Sequence, residues 1–189
     1  MFSPGPGTRL VARLASRQSP YSASKVSGGI GTGNSDDSIF GGGSSGGGGT
    51  GGSFSEQEAR GKLGQTGIAI NKNPCPQGVR YQSVPGGCTS FDGIKASTLE
   101  EIIQLKNTCN CPIEITGGTE LGHAQNEVSH ANGDKVDLGL NSKLDNYIEK
   151  NFKPIRAVYI NGLPYARYQA PNGTLYVREG NHWDVKVVR

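Results

Sequence analysis

Thirteen glycines crowd residues 28–52, "GGIGTGNSDDSIFGGGSSGGGGTGG", and this run limits where a fold can form. Glycine loses more backbone freedom on ordering than any other residue, and the stretch carries too little apolar surface to offset that loss. Such a composition reads as a flexible linker. Residues 1–65 are therefore expected to be a disordered basic and Gly/Ser-rich tail, and residues 66–189 to form one folded domain.

Charge divides along the same line. Residues 1–35 contain Arg9, Arg13, Arg17 and Lys25 and no acidic side chain, a net of +4. The remainder holds 15 basic and 16 acidic side chains, a net of −1, so nothing directs the folded part toward nucleic acid. "TRLVARLASR" reads as a disordered basic arm, with an interfacial patch or a targeting peptide as the alternatives. No run reaches the roughly 18 apolar residues of a membrane span, and the start lacks the apolar core of a signal peptide. Met1 is compatible with opening the end portion of a larger polypeptide or a component of an assembly.

Cys75, Cys88, Cys109 and Cys111 lack the paired CxxC knuckles of a tetrathiolate zinc site, so two disulfides are expected. Four cysteines allow three pairings. A bond from Cys109 to Cys111 is geometrically poor, so each of the two is expected to reach back to Cys75 or Cys88. Disulfides favour an oxidising, extracytoplasmic setting.

Patterning over the folded part predicts an α+β domain, a small antiparallel sheet with two or three helices packed on it. "STLEEIIQLKN" has Ser97 and Glu100 at capping-box spacing, with Leu99, Ile102 and Ile103 as an apolar stripe, so a helix is expected from Ser97. "IEIT" (113–116) reads as a short strand, and "SKLDNYIEKNF" (142–152) as a helix stopped by Pro154. "AVYIN", "LPYARYQ", "GTLYVRE" and "HWDVKVVR" are strand-like runs separated by Asn-Gly, Pro-Asn-Gly and Gly-Asn signals, an antiparallel meander. "GGTE" and "GIGTGNS" lack the Lys-Ser/Thr ending of a phosphate loop.

The chain has three histidines, His123, His130 and His182. In "HANGDKVDL", Gly133 can turn the chain between His130 and Asp137. "KVDL" reads as a strand with Val136 and Leu138 buried, which points Asp137 the other way, back toward His130. In "REGNHWDV", a two-residue hairpin at Gly180 and Asn181 sets Glu179 opposite His182 with both side chains on one side of the sheet. The result is a set of metal-ligand types with a carboxylate base beside it.

His130, Gly133 and Asp137 form HxxGxxxD, and Glu179 and His182 form ExxH. In this the chain resembles the D-alanyl-D-alanine metallopeptidases, whose fold is shared with the hedgehog signalling domain. The flanking Ser129 and Trp183 fit the pattern, and the similarity covers roughly residues 66–189. The phrase "ITGGTELGHA…SHANGDKVDL" also resembles cell-wall peptidase-like domains of bacterial and phage proteins. The resemblance implies one Zn²⁺ held by His130, Asp137 and His182, an open fourth position and Glu179 as general base. It further implies peptidoglycan stem peptides as substrate and a place in the cell envelope, in secretion or on a virion. Asp184, two residues after His182 on the same strand face, is expected to orient an imidazole. In one respect the chain departs from the family: where the peptidases carry an "SGYR"-like segment, this chain has "GGTELGH". Glu120 is opposite in charge to that arginine, and His123 is left as an electrophile in its place or a ligand competing with Asp137. A second function class stays open, a non-catalytic zinc-bound module of a secretion or phage apparatus. Glu179 separates the two, because a purely structural zinc has no use for a neighbouring base.

Overall fold

The computed structural model describes residues 52–123 and 130–188. Its first elements are β1 (Ser53–Phe54) and α1 (Glu56–Gln65). Ser55 caps α1 by accepting from Glu58 N, while the Glu58 carboxylate accepts from Ser55 N, a reciprocal capping box. Ala59 and Leu63, one turn apart, are fully buried. This corrects the boundary expected at residue 65, since β1 and α1 place residues 53–65 within the fold. Gly61 and Gly64 hide the helix in a composition that otherwise continues the tail.

β2 (Ala69–Ile70) is followed by β3 (Ile94–Lys95), which pairs with β1 and runs straight into α2 (Ala96–Cys109). The capping box expected at Ser97 and Glu100 does not form. Pairing through Lys95 keeps the chain extended up to that residue, so Lys95 becomes the N-cap, without a side-chain cap, and Ser97 falls inside the first turn. Thr98 there donates to Gly133 O at 2.7 Å. α3 (Ser142–Asn151) starts where Asn141 accepts from Leu144 N at 3.0 Å and ends before Pro154.

The remaining strands are β4 (Glu114–Gly117), β5 (Lys135–Gly139), β6 (Lys153–Ile160), β7 (Leu163–Gln169), β8 (Leu175–Arg178) and β9 (His182–Lys186). With β2 they make one seven-stranded sheet, order β2-β4-β5-β9-β8-β7-β6. It is antiparallel except for β2 alongside β4. The α+β class therefore holds, and β6 to β9 form the expected meander. Buried residues of all three helices share one core with Ile115, Val136, Leu138, Tyr176, Trp183 and Val185. Helices thus cover one face of the sheet, and alternate strand residues point to the other.

Two disulfides form, Cys75–Cys88 and Cys109–Cys111. The second overturns the expected cross-pairing. Asn110 takes a left-handed conformation (φ 46°) at the end of α2, which folds the chain back on itself and brings the two Cα atoms to 5.2 Å, within disulfide reach. Among the described residues no helix is long and apolar enough to cross a membrane.

Candidate metal centre

The sheet face free of helices carries the histidines. Asp137 lies on β5 between buried Val136 and Leu138 and points away from the helices, as the alternation expects. Its strand neighbours are Gly117 on β4 and Asp184 on β9. A Cβ built on Gly117 would overlap Asp137 Oδ2, so a side chain there would displace the carboxylate. His130 opens a short 3-10 turn, and Gly133, at φ 75°, reverses the chain into β5, its N–H donating to His130 O at 2.9 Å.

This brings His130 Nε2 to 3.3 Å from Asp137 Oδ1. His182 Nε2 lies 3.6 Å from the same oxygen and 3.7 Å from Glu179 Oε2. Glu179 and His182 face each other across the β8–β9 turn, where Glu179 N donates to His182 O at 3.0 Å. Each imidazole has a partner at its other nitrogen or on its flank. His130 Nδ1 donates to Gly118 O at 2.8 Å, and His182 Nδ1 meets Asn181 Oδ1 at 2.8 Å. His123 stacks between the rings of Tyr81 and His130, with centroids at 4.9 and 4.2 Å, and its Nε2 is 3.0 Å from Glu120 Oε1.

With Nδ1 protonated toward a carbonyl, a neutral His130 turns a lone pair toward Asp137 Oδ1. That oxygen is buried and has no hydrogen-bond partner. Two acceptors set face to face call for a proton or a metal ion between them. Ligand atoms of His123, His130 and Asp137 lie within 4.8 Å of one another, so a His-His-Asp group that could hold a metal ion is present. The donor set of imidazole nitrogens and a carboxylate oxygen suits zinc.

Electrostatics tie the group together. Burial pushes the Asp137 carboxyl up, but the imidazole of His130 against it, with those of His182 and His123 behind, outweighs burial and holds it below the ordinary carboxylate range. His130 is raised, burial lowering it and Asp137 overcoming that. Glu179 is raised as well, first by burial and then by the carboxylates of Asp184 and Asp137, with His182 and Lys135 opposing. A carboxyl lifted toward neutrality beside a metal-ligand cluster is suited to exchanging protons.

Several of the residues singled out in the sequence have other places. Trp183 is fully buried on the helix side, its Nε1 donating to Asp145 Oδ1 at 2.8 Å, which removes it from substrate contact. With His182 and Asp184 facing the centre, strand alternation leaves Trp183 no other direction. Asp184 does not orient an imidazole; it accepts from Lys135 Nζ at 2.5 Å. Ser129 lies outside the described residues. Glu120 is buried at the lining of the cleft over this face, where it accepts from Ser90 N at 2.8 Å and Gly118 N at 2.9 Å and faces His123. The backbone contributions of Gly118 and Ser90 and the side chain of Asn181 carry no residue-type signal, so the sequence does not disclose them. Lys135 is two residues before Asp137 and so shares its strand face, a signal that was readable.

A cleft of about 810 Å³ opens over this face, lined by His123, His130, Asp137, Glu179 and His182 together with Lys72, Tyr81 and Ile160. No protein-family model matches the chain, and neither a curated protein nor a solved structure matches it.

Proposed function

We propose that this protein is a zinc-dependent hydrolase cleaving peptide bonds of bacterial cell-wall peptidoglycan, with His130, Asp137 and His182 as metal ligands and Glu179 as general base. The observation that carries this reading is the approach of two imidazole nitrogens to the unpartnered, buried Asp137 Oδ1, with Glu179 Oε2 3.7 Å from one of them. His182 is preferred over His123 as third ligand because its Nε2 lies 3.6 Å from Asp137 Oδ1 and 3.7 Å from Glu179 Oε2, which sets the base beside the ion. Peptidoglycan follows from the likeness of HxxGxxxD and ExxH to the D-alanyl-D-alanine metallopeptidases. Both disulfides support an extracytoplasmic setting.

Bound there, zinc supplies Lewis-acid polarisation of a peptide carbonyl and acidification of water. The protein's own groups do the rest. Gly118 O and Asn181 Oδ1 fix the ring orientations of His130 and His182. Glu179 takes a proton from the attacking water and returns it to the leaving amine, an exchange its raised pKa favours in both directions. His123, its Nε2–H held by the Glu120 carboxylate and its ring stacked on Tyr81, lines the cleft as an aromatic wall beside the substrate.

One observation favours a second reading, a zinc-bound module without turnover: the ligand atoms that cluster most closely are those of His123, His130 and Asp137, a set that excludes Glu179's neighbour His182. The test is zinc analysis of the purified protein combined with mass spectrometry of cross-linked peptidoglycan after incubation. About one zinc per chain and new fragments differing by hydrolysis of one peptide bond, lost with chelator and regained with zinc, are expected. Bound zinc without fragments would favour the module.

A further inference from the structure

Among the described residues, two buried side-chain polar atoms have no hydrogen-bond partner, Asp137 Oδ1 and Arg167 Nε. A metal ion at the proposed centre would meet the first. Nothing in the proposed chemistry uses the second.

Arg167 lies on β7 one residue before Tyr168, whose ring packs edge-on against core Trp183. By alternation the Arg167 side chain therefore leaves the sheet on the helix-free side. In register, Arg167 opposes Val177, Val177 opposes Asp184, and Asp184 opposes Asp137. One row across the sheet thus joins the arginine to the metal centre, three strands and about 14 Å away at ~4.8 Å per strand.

Two cations near this row are matched, Lys135 with Asp184 and Arg178, on the helix side, with Asp145. No carboxylate pairs with Arg167 among the described residues. Its register neighbours are instead the apolar Ile155 and Val177. Tyr165, Val158 and Ile160 extend an apolar track on the same face, and Ile160 reaches the cleft wall. A guanidinium with a desolvated, unmet donor beside apolar side chains is costly unless an acceptor arrives from outside. The acceptor that fits its planar fork is a carboxylate.

We infer that Arg167 anchors a carboxylate-binding subsite on the helix-free face, selecting extended peptides that carry an acidic group about four residues, at ~3.3 Å each, from the bond at the metal centre. This rests on the proposed function only for where the scissile bond lies; binding itself needs no turnover. Val177 lies between Arg167 and the metal centre on this row, the apolar track flanks it on the β6 side, and the guanidinium sets the register.

The probe is a set of acetylated, amidated hexa-alanines with one glutamate moved along the peptide, each with its glutamine counterpart, titrated by NMR into the full chain with and without zinc. One glutamate position should bind about ten-fold more tightly than its glutamine control. Arg167→Gln should bring that ratio to about one, and Arg167→Lys, which keeps charge but loses the fork, to an intermediate value. Equal binding of the glutamate and glutamine peptides by the wild type, or no binding of either, would overturn the inference, as would an undiminished ratio in either variant. If Arg167→Gln fails to fold, the wild-type ratio and Arg167→Lys decide. Release from cross-linked peptidoglycan is read separately. Preference for one glutamate position alongside no release from cross-linked peptidoglycan supports the subsite and counts against the hydrolase, and release without preference does the reverse.

Discussion

The two faces of the seven-stranded sheet are made from alternate residues of the same strands, yet their polar atoms are settled differently. On the helix side, Trp183 Nε1 donates to Asp145 and Tyr176 OH donates to Glu101 Oε1 at 2.7 Å, and the apolar side chains around them are almost wholly buried. On the open side, Asp137 Oδ1 and Arg167 Nε stay unmatched, and three histidines gather round one carboxylate. Burying unmatched polar groups costs free energy that only a well-packed opposite face can offset. The packed core and the candidate metal group are thus separated by one residue along a strand.

Adjacent residues on β9 should therefore give opposite phenotypes. Trp183→Ala should lose about 3–5 kcal/mol in denaturant unfolding. His182→Ala should change the stability of the zinc-free protein by less than about 1 kcal/mol, as expected away from a packed core, yet abolish zinc binding. His123→Ala should keep the zinc. Zinc retained in His182→Ala would move the third ligand to His123, and equal destabilisation by Trp183→Ala and His182→Ala would dissolve the division between the faces.

The disulfides can be ranked by the loops they close. Cys75–Cys88, spanning 13 positions, should contribute about 3 kcal/mol and Cys109–Cys111, spanning two, about 1.6 kcal/mol on the chain-entropy account. Paired serine substitutions followed by thermal unfolding check the order; a larger loss from Cys109–Cys111 would show that its fold at Asn110 does more than close a loop.

Glu120 links the open face to the frame beneath it. Burial raises its carboxyl, but His123 and the backbone donors of Ser90 and Gly118 outweigh this and hold it below its ordinary value near 4.5. A carboxylate with a lowered folded pKa stabilises fully above that ordinary value and loses its contribution as pH falls through the lowered one. Glu120→Gln should cost about 2 kcal/mol at neutral pH, and the gap from wild type should shrink as pH drops below about 4.5. A gap that stays constant through acid would mean the negative charge is not what the site uses.

Much of this face was legible in the sequence because strand alternation and hairpin pairing are local rules. They sent Asp137 away from Val136 and Leu138 and set Glu179 opposite His182. What was hidden depends on chain entry or on distant backbone. The signal for α1, Ser55 with Glu58 ahead of buried Ala59 and Leu63, was present but masked by the glycines around it. Ser97 looked like a cap, yet β1–β3 pairing carries the chain extended through Lys95 before the helix starts. The pairing of Cys109 with Cys111 depends on one left-handed residue, Asn110, which spacing alone does not reveal. The partners that orient His130 and Glu120 are main-chain atoms of Gly118 and Ser90, brought near only by the tertiary fold.

The central claim is that Glu179 works as a base beside a zinc held on this face. It is tested most directly by peptide release from cross-linked peptidoglycan with zinc-loaded wild type and Glu179→Gln side by side. Glutamine keeps the size of glutamate and cannot accept the water's proton, so zinc content should be unchanged while turnover falls by roughly 10²- to 10⁴-fold. Equal release by the two proteins, or none from a wild type that holds its zinc, would contradict it.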